Sequence, residues 1–507
     1  MAKKPNIIEA FESKELFGPL FKDQKTWIAW KTFLRALYGL PLSGDDYKMY
    51  VDCTERQAVP KTNFEEAYAI VGRRGGKTQT VALIAVFEAL FGDWQKYLSR
   101  GETAYIFSIA TDKTQAKIAL DYIRGILEIF PDVVEKELTN EIRLKNRVTI
   151  SVKTCNFRAA RGYSTACIIL DELAFYRSEN SANPAEEVII SLLPSLLPNA
   201  KLIGISTPYG KFGYLYQIFS KHFGDENSDI LVWRAGTKVM NPQYRQEIID
   251  RLYKRDKSAM KSEFYAEFRE DLESYLSEDI LERAIASGCR MVPFDSEKSY
   301  QAFVDPSGGR KDSFTMAIAH QEDKRVILDY ISEVKPPFNP NEVVKNFADI
   351  FSSYRITTVL GDAYACEWVC TVFKESGIFY KASKLNKSEI FLEFSGLISI
   401  NAVKLLDNER MKNQFLSLER KTRSGGNDIV EKVAGMHDDI ANSVAGVCVS
   451  VYKNIAATPT KSELKARLPH LSHKRERSSI KSAAEEMHEI MISSGCNKSV
   501  RRNYIGL

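Results

Sequence analysis

The sequence predicts an α/β protein made of two successive sheet domains. Three observations carry this expectation. Short apolar runs alternate with helix-period segments twice along the chain, a charged helical stretch separates the two sets, and 507 residues exceed the roughly 250–300 at which one core stops growing. A composition of 44% hydrophobic, 11% aromatic and 27% charged residues is that of a folded protein and excludes a fibrous or disordered chain. Its length excludes a small disulfide scaffold. The eight cysteines are scattered; only Cys366 and Cys370 lie close together, and no His/Cys pair completes a zinc set, so reduced thiols are expected. No run of about 18 apolar residues occurs, and MAKKPNIIEAFESKE turns acidic where a signal peptide needs its apolar region, which points to a cytoplasmic protein without a membrane partner.

Residues 1–60 contain an aromatic helical stretch, Phe21 to Tyr38, with Trp27, Trp30 and Phe33 at spacings of three and with Pro19 and Gly39 as boundaries. Over 61–240 the runs AYAIV, AYIFSIA, ACIIL and KLIGI alternate with helices, the pattern of buried strands in a doubly wound parallel sheet. Residues 241–297 are expected to form a helical linker or lid. Strand patterns resume over 298–453 with QAFVD, SFTMAIAH and RVILDYISEV. A helix near 341–353, TTVLGD, another helix, AVKLL and a last helix from His437 to Val451 follow. Residues 454–507 are rich in Lys, Ser and Arg and predict a mobile basic tail with one short helix near 480–492. Residues 453–507 hold 11 Lys/Arg against 5 Glu, so the rest of the chain carries about −2 of the net +4. Polyanion binding by the body must then come from local grooves.

Gly72-Arg73-Arg74-Gly75-Gly76-Lys77-Thr78 stands between a buried strand and a helix, where backbone N–H groups and the helix N-terminus can wrap phosphates. The run is one residue shorter than G-x-x-x-x-G-K-[ST], because position 71 is Val. Lys77 would reach the β and γ phosphates of ATP, and Thr78 would bind Mg²⁺. About 95 residues later Cys167-Ile168-Ile169-Leu170 ends in Asp171-Glu172. We expect this strand beside the phosphate-loop strand, with Asp171 holding Mg²⁺ and Glu172 polarising the attacking water. Ser206 and Thr207 end the next strand, where they either sense the γ-phosphate or cap the STPYG turn. Arg73, Arg74 and Arg161 read as surface charges or as groups that stabilise charge on the transferring phosphoryl group.

In the second half Asp305 closes QAFVD, Asp362 closes TTVLGD, and Asp438-Asp439 opens the last helix. Singly, each reads as a turn or cap residue. A first strand, a fourth strand beside it and a C-terminal helix crossing the same edge is, however, the order of the RNase H-like fold. There such carboxylates hold two divalent ions, Mg²⁺ or Mn²⁺, that cut a phosphodiester. Asp312 and Asp329 are secondary candidates, and His437 a candidate to assist a metal-bound water.

Taken together, GRRGGKT with its short loop, IILDE, STPYG and the series Asp305, Asp362, HDD resemble the large terminase subunit of tailed bacteriophages over residues 15–451. The resemblance implies an N-terminal P-loop ATPase domain followed by an RNase H-like nuclease domain. It gives Glu172 the role in ATP hydrolysis, Ser206 and Thr207 that in coupling, Arg73 a phosphate contact and Arg161 the place of an arginine finger acting on a neighbouring subunit. The Phe21-to-Trp30 stretch looks like the adenine-contacting segment. The implied partners are double-stranded DNA, a small terminase subunit and the portal of a procapsid, on which the chain would form a ring in the infected bacterial cytoplasm. Rival readings are a cellular repair ATPase-nuclease, for which no second motor domain is visible after residue 210, and a non-catalytic DNA-binding or scaffold component. Candidate DNA contacts are Arg251, Lys254, Arg255, Lys257 and Lys261, with the basic tail; a charge run is otherwise a solvated helix face.

Overall fold

The computed structural model describes residues 4–21, 23–155, 162–176, 184–362, 366–422, 428–433 and 435–457. The described residues up to Tyr452 pack as one compact unit. The basic tail and its expected helix lie outside the described residues, as does Arg161.

Eight strands build the first sheet: β1 Glu66–Val71, β2 Ala104–Ala110, β3 Val134–Glu137, β4 Glu141–Leu144, β5 Val148–Thr154, β6 Ser164–Asp171, β7 Leu196–Ser206 and β8 Ile230–Ala235. Their order is β3-β4-β5-β2-β6-β7-β1-β8. The run from β5 to β8 is parallel, and β3, β4 and β5 pair antiparallel. Strands β1, β2 and β6 are apolar nearly throughout because helices cover both faces. On one side Ile28–Leu37, Lys77–Phe91 and Lys113–Leu127 bury their apolar stripes; on the other Pro184–Leu192 and Tyr214–His222 do so.

One expectation is corrected here. The strand ending in Asp171 does not lie beside the phosphate-loop strand: β7 stands between β6 and β1, with Ala69 paired to Ile205 and Asp171 to Ile205 from the other side. Apolar periodicity identifies a buried strand but carries no information about its neighbours.

A second sheet follows, formed by β10 Ile285–Ala286, β11 Tyr300–Asp305, β12 Phe314–Glu322, β13 Arg325–Val334, β14 Thr358–Gly361, β15 Phe379–Ala382 and β16 Val403–Leu406. A third joins β9 Leu272–Ser274, β17 Leu418–Thr422 and β18 Asp428–Lys432. The second sheet runs β10-β16-β13-β12-β11-β14-β15, with β11, β12 and β13 antiparallel and β14 parallel to β11. This is the expected strand order, and the α/β description with its RNase H-like second half holds. Helices Pro340–Ser353 and Cys366–Glu375 cover one face, while Asp439–Ala457 crosses the other.

Three local expectations change. The stretch 241–297 is not helical throughout, since it lends β9 to the third sheet and β10 to the second. The final helix begins at Asp439, leaving His437 and Asp438 in the turn before it. The aromatic stretch splits into a 3-10 turn, Gln24–Trp27, and a helix, Ile28–Leu37. Among the described residues no helix is long and apolar enough to cross a membrane.

Candidate functional sites

The first site lies at the carboxyl ends of β1, β6 and β7, where a parallel sheet brings loop residues to one edge. After Val71 the chain turns through Gly72–Gly76, with Arg74 and Gly76 in the left-handed region at φ 65° and 87°. Lys77 then opens the helix Lys77–Phe91. The turn is braced from the N-terminal segment: Trp30, fully buried, donates its indole N–H to the Gly75 carbonyl at 2.6 Å. Lys77 is also buried; its Nζ donates to the Val71 carbonyl at 3.1 Å and lies 3.6 Å from Glu172 Oε1. Thr78 follows it in the first helical turn.

At the end of β6, Asp171 is 1% exposed, and neither carboxylate oxygen has a hydrogen-bond partner. Burial and the neighbouring Glu172 push it up to about 7, against the pull of Lys77. An orphaned buried carboxylate at the end of a strand can be satisfied by a proton or by a cation, and Asp171 and Thr78 are the residues that would hold Mg²⁺ here. Glu172 sits in the left-handed region, φ 52°, which turns its side chain toward β7. Its Oε2 accepts from Ser206 Oγ at 3.2 Å and from the Thr207 N–H at 3.4 Å, and Ser206 Oγ accepts from the Ala174 N–H. Ser206 and Thr207 thus touch the expected water-activating carboxylate directly. Arg73 is largely exposed and pairs with Glu263 at 3.1 Å, and the Arg74 carbonyl accepts from Asn241.

The second site is assembled from distant parts of the chain. β11 and β14 run parallel with Val304 opposite Gly361, so Asp305 and Asp362 are the next residues in register at the same edge. The helix Asp439–Ala457 packs directly on β11. An added Cβ at Gly446 would lie 2.6 Å from the Phe303 ring, so only glycine permits this approach. One turn earlier Asn442 Nδ2 donates to Asp305 Oδ2 at 2.8 Å.

Asp438 and Asp439 then diverge. Asp438 faces Asp305 across Lys387, whose Nζ lies 2.8 Å from Asp438 Oδ2 and 3.6 Å from Asp305 Oδ2; Lys432 stands 3.4 Å from Asp438 Oδ1. Asp439 Oδ2 accepts from the Ser313 N–H at 3.0 Å and lies 3.6 Å from His437 Nδ1, which is also 3.6 Å from Asp312 Oδ1. Asp312, His437 and Asp439 each offer a ligand atom, all within 4.8 Å of one another. Burial pushes Asp305 up to about 7, helped by Asp439 and Asp438 and opposed by Lys387 and Asn442. Asp439 is raised as well, chiefly by burial. Largely buried carboxylates at Asp305, Asp438 and Asp439, with a partly exposed imidazole and the exposed Asp312 beside them, form a set of hard oxygen donors and one nitrogen that suits divalent cations.

The structure therefore brings Asp305, Asp438 and Asp439 together and places Asp362 at the same strand edge. Asp329 lies elsewhere, paired with His320 at 2.8 Å. Sequence reasoning missed Asn442 and Lys387. Asn442 carries a signal in its spacing, one helical turn after Asp438. Lys387 carries none beyond an N-K-S-E helix start.

A mostly parallel sheet bearing a P-loop-like turn, followed by a sheet with RNase H-like strand order, is the class these elements define. Residues 52–193 match the family model described as the terminase large subunit, ATPase domain. That match agrees with the resemblance to large terminase subunits that the motifs carry. Comparison with curated proteins finds no match. Among solved structures the chain is similar to the HK97 bacteriophage large terminase, at 15% identity and TM-score 0.37 over 84% of this chain and 99% of that one. It is also similar to the large terminase of a thermophilic bacteriophage in complex with ADP, at 12% and 0.34 over 76% and 94%. Over 32% of this chain and 92% of the other, it is similar to the large terminase nuclease of thermophilic phage G20c with bound magnesium, at 13% and 0.28. Likeness at this level assigns no residue.

Proposed function

We propose that the chain hydrolyses ATP at the first site to drive double-stranded viral DNA into a procapsid, and cuts concatemeric DNA at the second. The observation that carries this reading is the pair of cation-seeking acid sets, Asp171 beside Lys77 and Glu172 on one sheet, and Asp305, Asp438 and Asp439 on another. In the first, Lys77, held by the Val71 carbonyl, is the residue that would meet the β and γ phosphates. Glu172, kept in place by Ser206 and the Thr207 N–H, accepts a proton from the attacking water. Loss of the γ-phosphate would be felt by Ser206 and Thr207 through Glu172. Bound Mg²⁺ would neutralise phosphate charge. In the second site Asp305, Asp362, Asp438 and Asp439 are the residues to hold two divalent ions, which supply an activated water and a stabilised leaving oxygen. Phosphate-directed DNA binding fits such chemistry, which reads no bases. A small subunit, a portal-docked ring, an arginine finger at Arg161 and a site of action in the infected bacterial cytoplasm belong to the same reading.

The test separates the two activities. Glu172→Gln is expected to lower ATP turnover at least about 100-fold while retaining nucleotide binding. Asp305→Ala or Asp362→Ala is expected to abolish plasmid cleavage with Mg²⁺ or Mn²⁺ while sparing ATPase activity. Wild-type ATP turnover by Glu172→Gln would remove the base assignment.

A further inference from the structure

We propose that Lys387 is the resident counter-ion of the second acid cluster: its ammonium holds Asp305 and Asp438 together and gives up its place to an incoming divalent cation. The proposal rests on the nuclease reading and adds to it a residue that no motif carries. Lys387 Nζ bridges two carboxylates 133 residues apart in sequence, Asp438 at 2.8 Å and Asp305 at 3.6 Å. Both acids are largely buried, with side chains 3% and 15% exposed, whereas the lysine is 31% exposed.

Its place in the fold is electrostatically unfavourable without those partners. Lys387 is the first residue of the helix Lys387–Ser399, where the helix dipole presents its positive end. It is not needed there as a cap, because Asn386 and Glu389 form a complete capping box. What it does provide is charge. Without it Asp305, Asp438 and Asp439 would crowd with Lys432 beside Asp438 and the His437 ring beside Asp439 as the remaining basic groups among the described residues, and like charges in a buried site repel strongly.

The oxygens it holds are also the ones a metal needs. Asp305 Oδ2 and Asp438 Oδ2 both face the ammonium, so a cation coordinated by both carboxylates must displace it or share them. A compact charge on a flexible four-carbon stem with a solvent-facing side can withdraw without moving the backbone. The expected consequence is a raised threshold for metal loading, with the acid cluster kept assembled in the meantime.

The experiment uses full-length protein carrying Asp171→Asn, so that the second site alone is read, and titrates Mn²⁺ by electron paramagnetic resonance without DNA or ATP. Lys387→Met is expected to bind the first Mn²⁺ about tenfold tighter than the parent, and Lys387→Arg no tighter than the parent. In EDTA, Lys387→Met is expected to melt at lower temperature, with Mn²⁺ restoring the difference. In the parent protein, acetic anhydride should modify Lys387 slowly in EDTA and faster at saturating Mn²⁺, read by mass spectrometry. Equal Mn²⁺ affinity in parent and Lys387→Met, or unchanged Lys387 protection at saturating Mn²⁺, overturns the proposal. Absence of Mn²⁺ binding in both, with the native fold retained, removes the nuclease reading and this proposal with it. Should Lys387→Met fail to fold, the acylation measurement on the parent decides.

Discussion

Asp171 illustrates how a residue tuned for a ligand weakens the protein that carries it. Its carboxyl is raised to about 7, above the ordinary value near 4, so the folded state favours the proton. Its contribution to stability is therefore lost as pH rises from about 4 through about 7. Asp171→Asn is expected to stabilise the nucleotide-free protein by on the order of 1–2 kcal/mol at pH 8, and by almost nothing at pH 4, measured by urea unfolding. The variant should lose the additional stability that Mg-ATP confers. Asp271 behaves in the opposite sense. Burial alone would raise it, but hydrogen bonds from Arg269 at 2.7 and 3.1 Å and from Ser258 bring it to about 2. Its contribution is present above about pH 4 and lost as pH falls toward 2. Asp271→Ala is expected to cost about 1 kcal/mol at neutral pH, a gap that narrows across that window.

At the scale of the element, the helix Asp439–Ala457 decides whether the second site exists. It has to lie close enough to β11 for Asn442 to reach Asp305, and Gly446 against Phe303 sets that distance. Gly446→Ala is expected to destabilise by about 1–3 kcal/mol and to reduce cleavage while leaving ATP turnover intact. Gly396, exposed in another helix with open space where a Cβ would go, supplies the control. Gly396→Ala should stabilise by about 0.5–1 kcal/mol. The sequence showed this last helix and its acids through apolar periodicity. It could not show the helix-to-strand distance, because a glycine in a helical pattern reads as a defect until its neighbour is known. The same limit hid β9, β17 and β18, whose short mixed patterns gain stability from pairing with each other and from neighbours distant in sequence, as where the Val430 N–H donates to Ser388.

Across the whole molecule the two sites are joined by a short path of contacts. Glu172 holds Ser206 and Thr207; two residues on, the Tyr209 hydroxyl donates to Glu419 on β17 at 2.7 Å, and the Tyr209 carbonyl accepts from the Arg269 N–H. Strand β17 pairs with β18, which ends at Lys432, 3.4 Å from Asp438. A cavity of about 190 Å³ lined by Leu173, Tyr209, Leu276, Leu418 and Met436 lies along this path. A double-mutant cycle with Tyr209→Phe and Glu419→Gln is expected to show coupling of about 1–3 kcal/mol, read by urea unfolding. Additive effects would mean the contact carries no energy. For DNA, removing Lys254 and Arg255, both exposed on the charged helical segment, should lower the salt dependence of binding by about two phosphate contacts.

The amino-acid order by itself determined the α/β class with its two successive sets of strands, the glycine-rich turn and the acids at strand ends, because apolar period and loop chemistry are local properties of a chain. Tertiary structure alone decided that β7 separates β6 from β1, that Asp438 and Asp439 face different partners, and that Lys387 stands among the acids. Those facts depend on which distant segments pack together, and packing is settled by the summed burial of many weak contacts rather than by any local signal.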